Sequence, residues 1–123
     1  MKIIQKSLVL EREEYFKKHL EIINPMLPIQ LTPKEIEVLS SFMSLEGELV
    51  EEDRFNTLVR KKVMEKTNIV PGGLGNYLNS MIKKGFLHKH AITKKITIKP
   101  FLFPEKNIQG YQFKITKNEN KKS

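Results

Sequence analysis

The residues best suited to chemistry in this chain gather in one stretch, IVPGGLGNYLNSMIKKGFL, residues 69–87. Asn76 and Asn79 each carry an amide, a donor beside an acceptor, the pattern that pairs with an adenine edge. Gly72, Gly73 and Gly75 leave the backbone bare at what reads as a helix start, where free N–H groups receive phosphate well. Ser80 adds a hydroxyl, and Lys83 and Lys84 add cations. More cations stand in Arg60-Lys61-Lys62 and in Lys94-Lys95. These are groups for holding a polyanion, not for making or breaking bonds.

Other chemistry is thinly represented. No nucleophile–base pairing, acid pair or cofactor motif stands out, so no enzyme activity and no cofactor is expected. PGGLG lacks the GxxxxGK[ST] spacing of a nucleotide loop and does not follow a strand. His88 and His90 alternate as two metal ligands on one strand face would, with His19 as a third candidate. The competing reading is a solvated or phosphate-adjacent pair, which fits better because no carboxylate or Cys lies nearby in sequence. Glu51, Glu52 and Asp53 form an acidic cluster, for which helix N-terminal charge is the ordinary reason. The chain has no cysteine, which excludes disulfides and Cys-based zinc sites.

With 123 residues, 39% hydrophobic and 29% charged, the chain has the composition of one globular domain, or a domain with an arm. No apolar run nears the ~20 residues of a membrane span, and residues 1–10 have no signal-peptide core. A cytoplasmic protein without membrane partners is expected. Charge is unevenly placed: Met1–Asn56 holds 7 basic and 11 acidic residues (−4), Thr57–Ser123 holds 15 and 3 (+12). A split of this kind suits one neutral or acidic face and one face for a polyanion. A Lys-rich solubilising surface without a partner is the plainer alternative.

The elements that must position these groups follow from hydrophobic period. Residues 1–10 form a short strand or a ragged lead-in. Apolar residues from Leu8 to Ile23 follow helical spacing loosely. Asn24-Pro25 and Leu27-Pro28 end that helix, making Asn24–Gln30 an extended linker. Leu31–Leu45 has the clearest start: Thr32 as N-cap, Pro33 at the first position, Glu35 completing a capping box, Leu31 and Ile36 as a staple. Its stripe is Ile36, Leu39, Phe42 and Met43. Glu46–Asp53 reads as a polar connection with Gly47 as terminator, and Asp53 as the cap of a helix from Arg54 to Thr67. Phe55, Leu58, Val59 and Val63 mark the buried face of that helix.

In residues 69–87, Ile69, Leu74, Leu78, Met81 and Ile82 recur at helical spacing, and Gly85 stands where a C-cap takes positive φ. From Phe86 the period moves towards 2. Ile96 and Ile98 form one alternating set, and Tyr111, Phe113 and Ile115 a second, with PEKNIQG as the loop tip between them. Residues 117–123 read as a flexible polar tail.

Three helices followed by a hairpin, over about Leu31–Ile115, resemble the winged helix-turn-helix family, particularly MarR-like regulators. The resemblance is one of pattern: Ile69 as turn residue, Pro71 opening the helix, Leu74, Leu78 and Met81 as anchors, and Lys84-Gly85-Phe86-Leu87 leading into the wing. The fold it implies is α+β and mainly helical, a three-helix core plus a β-hairpin wing (31–116), preceded by an N-terminal helix and linker (1–30). It departs from the family in having glycine at three positions where side chains usually read bases.

The resemblance implies a DNA-binding protein, a small bacterial or phage transcription regulator. Asn76, Asn79, Ser80 and the glycines would face the major groove. Arg60, Lys61, Lys62, Lys83, Lys84, Lys94 and Lys95 would contact phosphates. Tyr77 and Tyr111 are stacking candidates, Tyr111 fitting a core role better. The stripe Tyr15, Phe16, Leu20 and Ile23 is either ordinary core or, as often in the resembled family, a homodimer interface. Two rivals stand: a winged-helix protein–protein module with an acidic partner, such as a polymerase or replication adaptor or a phage structural component, and an RNA binder using the same basic face.

Overall fold

The computed structural model describes residues 2–118, in five helices and one small antiparallel sheet. The order is α1 (Arg12–Ile23), α2 (Pro33–Ser44), α3 (Glu48–Glu52), α4 (Thr57–Thr67), α5 (Pro71–Lys83), β1 (Leu87–Lys89) and β2 (Ile96–Ile98). Short 3₁₀ turns occupy Asn24–Met26 and Pro100–Leu102. The architecture is mainly helical α+β.

α2 is the hub. Its start is the capping box expected from sequence: Thr32 Oγ1 accepts from the Glu35 N–H at 3.1 Å, and Glu35 Oε1 accepts from the Thr32 N–H at 2.8 Å. Val38, Leu39, Phe42 and Met43 are wholly buried, and Ser40, Ser41 and Ser44 are buried too, so neighbouring helices cover it almost all round. α1 lays Phe16 and Leu20 against it, α4 lays Val59 and Val63, and α5 lays Leu74, Leu78 and Met81. Of the stripe on α1, Phe16 and Leu20 are part of this core and Ile23 packs against it, while Tyr15 lies outside it.

The last carbonyls of α2, which have no partner within the helix, are taken up by two arginines. Arg54 Nη1 donates to the carbonyls of Phe42 at 2.8 Å and Leu45 at 3.0 Å. Arg12 Nε donates to that of Ser44 at 2.5 Å. Positive charge at a helix C-terminus also suits its dipole. Burial first, and the neighbouring Arg12 charge second, lower the Arg54 pKa from its ordinary value.

Several boundaries differ from the sequence expectation. The helix drawn from Leu8 begins at Arg12, and residues 2–11 are irregular, because Leu8 and Val9 find nothing to bury against and stay exposed. The linker opens with a 3₁₀ turn at Asn24, whose amide holds Leu31 at both its N–H (2.7 Å) and its carbonyl (3.0 Å). Glu46–Asp53 is not a plain connection. Gly47, at φ +126°, precedes α3, which forms because Val50 reaches the core.

Asp53 does not cap the next helix. Its Oδ1 accepts from the Phe55 N–H, and the helix starts later, at Thr57, capped by Asn56 accepting from the Val59 N–H at 2.9 Å. The delay lets Phe55 turn inward to Phe42, their ring centres 4.4 Å apart.

The hairpin is shorter than expected. β1 pairs with β2, Leu87 opposite Ile98 and Lys89 opposite Ile96, and the turn is residues 90–95. Leu87, Ile96 and Ile98 are buried, and the near partner closes a short loop. PEKNIQG is not the tip, and Tyr111–Ile115 forms no strand: Phe113 and Ile115 are 56% and 99% exposed. The polar tail lies largely outside the described residues.

Candidate nucleic-acid interface

α4 ends at Asn68, whose left-handed conformation (φ 55°, ψ 47°) turns the chain while its N–H returns to the Met64 carbonyl. Ile69 then packs against the core, Val70 is extended, and Pro71 opens α5. Pro at the first position suits a helix start, since its missing N–H has no partner there anyway. Val70 offers no side-chain cap, so the first turn of α5 presents uncapped N–H groups to solvent. At the far end Gly85, at φ +86°, reverses the chain into β1.

The glycines divide into two kinds. A Cβ on Gly73 would stand 3.2 Å from Ile69 Cγ2, so Gly73 serves the tight turn between the helices. A Cβ on Gly72 or Gly75 would meet nothing within 4 Å, and neither has positive φ. Alanine would favour the helix by up to ~1 kcal/mol at each. Nothing among the described residues requires those two glycines.

On the outer face of α5, Asn76, Asn79 and Lys83 are exposed and line a shallow open groove with Ser80 and Lys84. The last two are already engaged. Ser80 Oγ donates to Glu35 Oε2 at 2.8 Å, and Lys84 Nζ donates to Glu35 Oε1 at 2.6 Å and to the Gln30 carbonyl at 3.1 Å. Glu35 is 1% exposed. Burial would raise its pKa, but the Lys84 bond, the Thr32 N–H, the Ser80 hydroxyl and the Lys84 charge outweigh it and hold the carboxyl below its usual range. A capping glutamate thus also fastens the last turns of α5 to the start of α2. The capping box was legible in sequence; this second role was not, because its partners lie 45 and 49 residues on.

The remaining cations fall into two groups. Arg60 is half-buried, its Nε donating to the Phe55 carbonyl at 2.6 Å. Lys61, Lys62, Lys83, Lys94 and Lys95 are exposed and enter no ion pair among the described residues. No protein-family model, curated protein or solved structure gives a significant match to the chain.

His88 is exposed on β1, and His90 Nδ1 accepts from the N–H groups of Ile92 and Thr93 in the hairpin turn. His19 does not join them. It is buried, and its Nε2 lies 3.0 Å from the Leu102 carbonyl, which can only accept, so Nε2 carries the proton. Nδ1 then accepts from the Tyr111 hydroxyl at 2.5 Å.

Burial lowers the His19 pKa, the Leu102 carbonyl opposing it, and burial raises that of Tyr111. Tyr15, whose hydroxyl donates to the Glu105 carbonyl at 2.8 Å, makes a parallel link. Sequence offered no sign of either, since both depend on the C-terminal segment crossing α1. Glu51 and Glu52 are exposed at the end of α3, and Tyr77 is half-buried against the core. No helix among the described residues is long and apolar enough to cross a membrane.

Proposed function

We propose that this chain is a winged helix-turn-helix protein that binds duplex DNA, a small bacterial or phage transcription regulator. α5 enters the major groove and the β1–β2 hairpin serves as the wing. The observation that carries the reading is α5 itself. Leu74, Leu78 and Met81 root one face in the core, Asn76, Asn79 and Lys83 are exposed on the other, and a basic hairpin follows directly. A helix so supported fits the groove, and its amides match adenine edges. Lys61, Lys62, Lys83, Lys94 and Lys95 supply phosphate contacts, which position the protein without specifying sequence.

The test is binding of the purified chain to random and genome-derived duplexes over a salt series. Selective binding that weakens steeply with salt is the expected result. Asn76→Ala and Asn79→Ala then relax base preference, by ~1–3 kcal/mol for a bidentate contact. Equal losses on specific and random DNA refute base reading by these two residues.

Gly72 and Gly75 favour a second reading, a protein–protein module on the same scaffold. Bare backbone at the helix start reads no base, yet admits a close partner main chain. This reading expects weak, sequence-blind DNA binding and a stable complex with an acidic protein.

A further inference from the structure

The hairpin ends in a tip whose backbone is tied from within. The His90 N–H donates to the Lys95 carbonyl and the Lys94 N–H to the His90 carbonyl, both at 2.9 Å. His90 Nδ1 accepts from Ile92 N–H at 3.2 Å and Thr93 N–H at 3.1 Å. Lys94, at φ +62°, closes the turn, and the Lys95 N–H reaches Thr93 Oγ1. With those donors engaged inside the turn, what it holds out to solvent is side chain. Ile92 is 85% exposed, and Lys94 and Lys95 beside it are exposed too. The root is fixed in the core by Leu87, Ile96 and Ile98.

A single exposed isoleucine is ordinary. What sets Ile92 apart is its place, on an internally bonded tip with Lys94 and Lys95 beside it and a root fixed in the core. Its partner must be anionic around and able to take an apolar group at the centre. We infer that Ile92 is a wedge that enters a base step in the minor groove of duplex DNA, with Lys94 and Lys95 on the flanking phosphates. This rests on the DNA-binding reading above. Side chains of this kind partly unstack a step and kink the duplex, most readily at TA and CA steps. A lipid surface fits less well, because one isoleucine buries too little to hold a protein on a bilayer.

The experiment uses the full chain and a short duplex with a central TA step, 2-aminopurine at that step and a dye pair at the ends. Wild type should raise the 2-aminopurine emission and bring the ends together. Ile92→Ala, folded as judged by circular dichroism, should bind with the same salt dependence but lose both signals, and Ile92→Leu should keep them. Binding by wild type without unstacking, or unstacking by Ile92→Ala equal to wild type, overturns the wedge and leaves the DNA reading standing. No binding of wild type to any duplex overturns both. Ile92-dependent binding to phosphatidylglycerol vesicles with the duplex left stacked assigns the tip to lipid and overturns the proposal.

Discussion

Lys84 donates to Glu35 across 2.6 Å, joining the end of α5 to the first turn of α2. Lys83, its neighbour in sequence, is exposed and enters no ion pair among the described residues. Two adjacent lysines that look alike in sequence therefore stand in different roles, one structural and one open to a partner.

Lys83→Ala should leave unfolding by urea unchanged and flatten the salt dependence of DNA binding by about one unit, the share of one phosphate contact. Lys84→Ala should instead lower stability by about 2 kcal/mol, less than for a fully buried pair because Lys84 still reaches solvent. If Lys84→Ala unfolds like wild type and loses salt dependence as Lys83→Ala does, Lys84 belongs to the interface and not to Glu35.

Gly72→Ala and Gly75→Ala should each raise the unfolding free energy by up to about 1 kcal/mol, since the added methyl meets no neighbour. If those glycines admit a partner's backbone, the same substitutions weaken binding, and the two effects separate by measuring melting and affinity on one sample. Gly73→Ala should gain less or lose, because its methyl crowds Ile69.

Stability should fall as pH drops below about 6.5, and His19 should account for part of the fall. Burial depresses its folded pKa below the ordinary 6.5, so in that window the unfolded chain binds the extra proton and acid favours unfolding. The contribution is complete above pH 6.5 and is lost as pH falls through the folded value. Glu35 acts in a lower window, below its ordinary 4.5, because its folded pKa is also depressed. Denaturant midpoints between pH 7.5 and 5 should slope less in His19→Gln than in wild type; an unchanged slope removes His19 from the account.

Arg54→Met should destabilise by about 1.5–3 kcal/mol, the range for hydrogen bonds to a charged group, since it frees the Phe42 and Leu45 carbonyls at the end of α2. Base preference per folded molecule should stay the same, because Arg54 neighbours Lys95 and β2 but lies at the opposite end of α2 from Glu35 and the groove on α5. Thermal melting alongside DNA titration checks both parts.

Local signals were the legible ones. Thr32 and Glu35 announced α2, Pro71 and Gly85 bracketed α5, and Leu74, Leu78 and Met81 named its buried face. What escaped was set by distant partners. α3 exists because Val50 reaches the core, not because EGELVEED favours a helix. Asn56 displaced Asp53 as cap because Phe55 had to reach Phe42. Tyr111–Ile115 alternates like a strand, but β2 lay nearer to β1 in the chain and carried the buried isoleucines. In the candidate site, the exposure of Asn76, Asn79 and Lys83 followed from helical period, whereas the engagement of Ser80 and Lys84 needed α2 beside them.

The link from His19 to Tyr111 spans 92 residues of sequence. During synthesis α1 emerges about 92 residues ahead of the segment that covers it. At roughly 5–20 residues per second, the outer side of α1 stays wet for about 5–20 s on the ribosome. Anything that grips that helix in the interval, a chaperone or a neighbouring nascent chain, meets a surface that the finished protein no longer offers.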